Sequence, residues 1–402
     1  MRLVLFGGAV LMTLLASCPG VPPPPPPPVG FDCAAQPAFK RGEVVKVANA
    51  IAGQYIVVLK DRQKRIQTLM ATEGVQEVQA LRQGYAATIA QAALARILKD
   101  ENVAFVQENG IKRVSPLAAI STRSWGLDRI DQRDLPLDGG YDPRVSGHGV
   151  VVAVIDTGLT VSAENMPEFE DRVLPECFTA YPAQGGCADL NSHGTHVSGT
   201  IASKTWGVCA GCKILNARVL DRFGSGTDAD VIRGVEWVTA WKLAHPEMPM
   251  AANISLGGGP SPALDRAVCD MLAAGVATAV AAGNESQDAR GSSPARVLQA
   301  ITVGATDQMD RQANFSNFGP LLDLYGPGVD IESTHPSEGT AVYSGTSMAA
   351  PHVAGGAALF LARHPQAVPL EVRDSLVLTS SQDKLSGLGS GSPNMLLYVK
   401  AE

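Results

Sequence analysis

The sequence predicts an α/β protein, a mostly parallel sheet with helices on both faces, preceded by a smaller ferredoxin-like α+β unit. Two observations carry this expectation. Between residues 213 and 303 apolar strand-like runs alternate with helix-length segments, which implies parallel strands joined by crossover helices. Between residues 42 and 114 shorter runs follow an order that suggests a β-α-β-β-α-β sandwich. With 402 residues, 45% hydrophobic and 18% charged, the chain can hold one large core and one small one. A net charge of -7 gives no basic surface, so no nucleic-acid partner is expected.

In chain order, residues 1–18 have the shape of a secretory signal: an apolar run at 3–15 behind Arg2, too short to span a bilayer comfortably. Export is therefore expected. Leu15, Ala16, Ser17 and Cys18 resemble a lipobox, which would make Cys18 a lipidation site and a membrane tether; ordinary signal removal is the alternative. Residues 19–41 form a spacer around an unbroken proline run, 22–28, that behaves as a stiff extended segment. In the unit 42–114 the pattern predicts strands at 54–59, 75–81 and 103–107 and helices at 62–70 and 86–99. A small-residue linker, 115–124, leads to the main domain, 125–402. There the pattern predicts strands at 213–220, 251–256, 276–282 and 300–303 and helices at 229–243 and 262–274.

Three motifs point to chemistry. Residues 343–353 read YSGTSMAAPHV, which puts Ser347 at the N-terminus of an apolar helix, where unpaired backbone N–H groups can stabilise an anion. Residues 151–159 read VVAVIDTGL, an apolar run that delivers Asp156 to a strand's C-terminal edge. Residues 191–200 read NSHGTHVSGT, with His193 opening a helix. A serine hydroxyl is a poor nucleophile at neutral pH. Ser347 therefore needs His193 to accept its proton, and His193 needs Asp156 to hold its tautomer and steady its charge. His196 lacks the glutamate of a zinc-binding H-E-x-x-H and reads as a structural histidine.

Asp, His and Ser in this order, within these three motifs, resemble the subtilases, and among them the proteinase K and aqualysin branch, over about residues 125–398. The resemblance implies a subtilisin-like three-layer fold and a serine endopeptidase of broad specificity working through an acyl-enzyme. It also implies that 42–114 is an inhibitory propeptide, cut off between Val114 and Ser121, and that the enzyme is a monomer with polypeptide substrates. Asn284, in AAGN, would donate its side-chain N–H to the oxyanion beside the backbone N–H of Ser347. Gly224, Ser225 and Gly226 on one side and Ser255, Leu256 and Gly257 on the other offer backbone edges to an extended peptide. Leu256, Gly257, Ala281, Ala282 and Gly283 would line a pocket for a large apolar or aromatic residue before the cut bond. Asp228 stands where proteinase K has a tyrosine near a more distant apolar subsite, a departure that leaves the preference there open.

The resemblance further implies structural calcium. Asp323 would bind it with the carbonyls of Leu298 and Ala300, and Asp128, Asp131, Gln132 and Asp138 would form a second site, where Gly140 replaces the family's asparagine. Of the 7 cysteines, Cys177 with Cys187 and Cys209 with Cys212 are expected to be bridged in an oxidising compartment. Cys33 lies ahead of the propeptide, and Cys269 is expected as a buried free thiol on a helix. The competing reading of the whole chain is a catalytically silent subtilase-like scaffold, which would have no need for Asp156, His193, Asn284 and Ser347 together.

Overall fold

The computed structural model describes residues 30–35, 39–40, 42–61, 73–114, 117–118 and 125–400. The signal, Cys18, the proline run, the helix expected at 62–70 and most of the linker lie outside the described residues.

The smaller unit holds β1 (Val44–Val45), β2 (Gln54–Leu59), β3 (Val75–Leu81), β4 (Gly84–Ile89), a helix at Gln91–Ile97 and β5 (Val103–Glu108). The sheet order is β1-β5-β2-β4-β3; the four longer strands pair antiparallel and β1 joins β5 in parallel. Side chains alternate across β2. Val57 and Leu59 pack beneath the helix with Tyr85, Leu94 and Ile97, while Ile56 and Val58 turn with Leu81 and Ala86 onto the main domain. The single helix expected at 86–99 is therefore a strand followed by a shorter helix. Tyr85, Ala87 and Ile89 keep a period of two, which the alanines on both faces disguise as helical sequence.

The chain continues through β6 (Ile111–Arg113) and β7 (Leu117–Ala118) into the main domain, with β8 (Val151–Asp156), β9 (Val173–Thr179), β10 (Lys213–Arg218), β11 (Ser225–Thr227), β12 (Met250–Ile254), β13 (Val276–Ala281), β14 (Ile301–Thr306), β15 (Leu324–Pro327), β16 (Ile331–His335), β17 (Gly339–Ser344), β18 (Ser381–Gln382) and β19 (Met395–Leu396). The large sheet runs β18-β19-β15-β14-β13-β12-β8-β10-β9, parallel throughout except for β18. Both faces of its strands are covered. Val152 and Val154 of β8 point to the helices His193–Ala202 and Thr346–Arg363, whereas Val151, Ala153 and Ile155 point to Asp228–Ala244 and Pro262–Ala273. This gives the expected three layers. From β8 the chain fills one side of the sheet with β9 and β10, then crosses to β12 on the other. The reversal leaves a crevice beyond the C-terminal ends of β8 and β12.

Cys177–Cys187 and Cys209–Cys212 are disulfides, as expected. Cys269 is not a free thiol: it is bonded to Cys33, 236 residues away. The segment around Cys33 lies against the main domain. Phe31 N–H donates to Arg296 O at 2.7 Å, Leu298 N–H donates to Phe31 O at 3.1 Å, and the Gln299 side chain bonds both Cys33 N–H and Asp32.

Candidate active site

Asp156 ends β8 fully buried, and its Oδ1 accepts from Thr157 N–H at 2.7 Å and from His193 Nδ1 at 2.8 Å. With Nδ1–H committed to a carboxylate that can only accept, Nε2 carries the lone pair. That Nε2 is buried and makes no hydrogen bond. The turn that presents His193 is held by Asp189, which sequence reasoning missed. Its carboxylate accepts from the N–H groups of Asn191, Ser192 and Thr195 and from the hydroxyls of Thr157 and Thr195, at 2.7–2.9 Å. These bonds fix Ser192 at φ 89, a left-handed conformation directly before the helix. The signal was available: an aspartate just ahead of a helix start tends to bond the backbone after it.

Ser347 lies in the first turn of Thr346–Arg363. Its hydroxyl donates to Ser255 O at 3.1 Å, while Ser255 Oγ donates to Ser347 O at 2.8 Å and accepts from Asn253 Nδ2 at 2.8 Å. Ser347 Oγ thus bonds the backbone just past β12, and no hydrogen bond joins it to His193 Nε2. Such bonds commonly close only with substrate in place. Asn284 follows β13, and its Oδ1 accepts from the backbone N–H and hydroxyl of Thr346 at 2.8 and 2.9 Å. Fixing Oδ1 sets the amide plane, with its N–H donors on the opposite branch. Thr346, a second residue missed from sequence, thereby orients Asn284.

The two expected peptide edges are filled by the chain itself. β6 pairs antiparallel with β11, Arg113 opposite Ser225 and Lys112 opposite Gly226. On its other edge Arg113 N–H donates to Gly257 O at 3.1 Å and Gly257 N–H to Arg113 O at 3.2 Å; Val114 N–H donates to Gly224 O at 3.0 Å. Gly224 sits at φ +69, and a Cβ there would lie 2.5 Å from the Val114 side chain, so only glycine allows this approach. Beside Ser347 a cleft of about 170 Å³ is lined by Leu256, Gly257, Ala281, Ala282, Gly283 and Asn284, with Ser292, Ser293 and Ala295 as further walls not foreseen.

The residues expected to hold calcium have other partners here. Asp323 Oδ1 is paired with Arg373 Nε at 2.8 Å and Oδ2 accepts Thr302 N–H at 2.7 Å, so a cation beside the Leu298 and Ala300 carbonyls would have to displace a guanidinium. Burial pushes the Asp323 carboxyl up to about 6. Asp128, Asp131, Gln132 and Asp138 share a loop whose backbone N–H groups they accept from, Asp128 and Gln132 meeting at the same Asp138 N–H. Asp128 accepts from Asp138 and Gly139 N–H, Gln132 also from Asp138 N–H, Asp138 from Gly140 N–H, and Asp131 from Asp142 N–H. Among the described residues no group of three or more His, Cys, Asp or Glu converges as a ligand set. Asp131 Oδ1 is buried in that loop with no hydrogen-bond partner among the described residues. His196 is structural, its Nε2 set between Ile331 O and Ala341 O at 3.0 and 3.1 Å.

Residues 147–393 match the profile of a family described as the Subtilase family. An extracellular serine proteinase from Thermus sp. (strain Rt41A) is 41% identical over 384 residues, 88% of this chain and 91% of that one. An alkaline serine exoprotease A from Vibrio alginolyticus is 39% identical over 78% of this chain and 58% of its own. The crystal structure of a cold adapted subtilisin-like serine proteinase superposes with a TM-score of 0.64 at 42% identity, covering 70% of this chain and 100% of that one.

Proposed function

The chain belongs to the subtilase family of serine peptidases, and from that premise we propose that it is an exported endopeptidase of broad specificity, made as a precursor that cuts itself. Ser347 is the nucleophile, His193 the base, and Asp156 the group that orients and steadies the imidazole. Attack by Ser347 Oγ on the peptide carbonyl, with its proton passing to His193 Nε2, yields a tetrahedral oxyanion. The Ser347 backbone N–H and Asn284 side chain face that oxyanion. Collapse expels the amine, which takes the proton back from His193 and leaves an acyl-enzyme for water to hydrolyse. The unpaired Nε2 behind a buried carboxylate supports this assignment.

The observation that carries the reading is β6, held as a strand on both edges of the cleft beside Ser347. Backbone pairing accepts many sequences, which supports breadth, and the small apolar walls of the neighbouring cleft support a large apolar residue before the cut. Residues 42–114 then act as the inhibitory propeptide, with cleavage between Val114 and Ser121. The test is Ser347→Ala. Expressed in a host free of other proteases, it should fold, stay at precursor size on a gel and leave casein intact, whereas the unaltered chain matures and digests casein. Normal maturation of the variant would return the chain to the scaffold reading.

A further inference from the structure

We propose that Asp228 makes the cleft select a basic side chain, lysine foremost, at the one substrate position that Lys112 fills here. This rests on the reading of β6 as occupying the substrate cleft. Lys112 Nζ lies 2.9 Å from Asp228 Oδ1, with the side chains only 2% and 0% exposed. Nζ also donates to Gly259 O at 3.0 Å. The lysine stem passes over Gly258, where a Cβ would stand 3.1 Å from Lys112 Cδ, so the backbone there forms a narrow slot ending in a carboxylate and a carbonyl.

The other contacts of Asp228 explain why this selects rather than merely tolerates. Asp228 Oδ2 accepts from Gly110 N–H at 3.1 Å and from Gln107 Nε2 at 3.4 Å. Among the described residues, the side-chain partners of Asp228 thus all belong to residues 107–112. When that unit leaves, the carboxylate at the start of the helix Asp228–Ala244 loses these partners together. A substrate with lysine there restores the lost partner. A leucine buries the charge unpaired, and a glutamate adds a second negative charge. The selectivity lies away from the apolar pocket, because Lys112, Arg113 and Val114 all precede the proposed cut.

The test uses the matured enzyme and fluorogenic peptides in which each position before the cut bond is varied in turn among lysine, leucine and glutamate. At one position, third or further from the cut, lysine should raise kcat/KM roughly tenfold or more over leucine. Asp228→Asn should bring that ratio towards one, and Asp228→Tyr should reverse it. Efficient cleavage with leucine equal to or better than lysine at every position would overturn the proposal and leave the peptidase reading intact. No cleavage of any peptide would overturn the peptidase reading and this one with it. An arm independent of catalysis uses the uncut Ser347→Ala chain, with Lys112→Met and Asp228→Asn made singly and together. The double variant should melt clearly above the sum of the two single losses, and additive losses would overturn the proposal.

Discussion

His193 and His196 lie three residues apart on one helix and are both completely buried, yet the structure gives them opposite surroundings. His193 faces the carboxylate of Asp156, so the ring can take a proton and have its charge answered at 2.8 Å. His196 faces two carbonyls and stacks on Tyr343 at 4.6 Å between ring centroids, and burial drives its pKa down to about 3. Equal burial therefore decides nothing about role. A countercharge allows a buried ring to cycle between states, and its absence locks the ring neutral.

The largest expected effect separates the two rings directly. His193→Ala should lower peptide hydrolysis by about four orders of magnitude or more in a chain that still folds, with some loss of stability because Asp156 is left buried without its partner. An equal kinetic loss from a well-folded His196→Ala would erase the distinction. Asn284→Ala removes one donor and keeps the nucleophile. By the effect of the equivalent donor in subtilisin, kcat should fall about a hundred- to a thousandfold with little change in KM, and maturation should slow without stopping.

The same logic of paired burial applies to Asp323. Arg373→Ala leaves that carboxylate buried and unanswered, which should cost about 3 kcal/mol of stability in chemical denaturation, with kcat unaffected. With a chelator, an unchanged melting temperature of the unaltered protein would show the guanidinium alone answering Asp323. A fall on chelation would show that a metal competes with the guanidinium.

Taken per pH unit, the smallest effect is a slope. Because His196 titrates at about 3 folded and near 6.5 unfolded, the unfolded chain binds a proton first as pH falls between those values, and stability is lost on acidification. His352, lowered by burial to about 4, acts in the same direction. Asp265 and Asp323, raised to about 6, and Glu236, raised to about 7, act oppositely, since folding favours their protonated forms as pH falls towards their unfolded values. His196→Gln should therefore flatten the loss between pH 6.5 and 3 by up to about 1.4 kcal/mol per pH unit, read from denaturant midpoints at each pH.

What was legible in the sequence was local. Asp156 at the end of an apolar run, His193 before small helical residues and Ser347 after Gly-Thr each announce a strand end or helix start within a few residues, and the parallel sheet follows from the strand–helix alternation between residues 213 and 303. Partner choice across the fold was not legible. Arg373 reaches Asp323 from 50 residues away, Lys112 reaches Asp228 across the junction, and Cys269 finds Cys33 at a separation of 236. No local pattern encodes such meetings, and a motif that matched a calcium ligand could not show that an arginine lies beside it. The strand Gly84–Ile89 failed for another reason: alanine contributes so little contrast between faces that its period is nearly invisible.

The Cys33–Cys269 bond changes what a cut at the junction would mean. Hydrolysis between Val114 and Ser121 would not divide the molecule, because the two pieces would stay joined upstream of the small unit. The severed inhibitor would become a tethered ligand whose rebinding is set by effective concentration, and dilution would not relieve it. Activation would then require reductant or a second cut between Cys33 and the small unit. On a gel, processed protein would run as two bands with reductant and as one without it, whereas two bands under both conditions would show that the second cut had already been made.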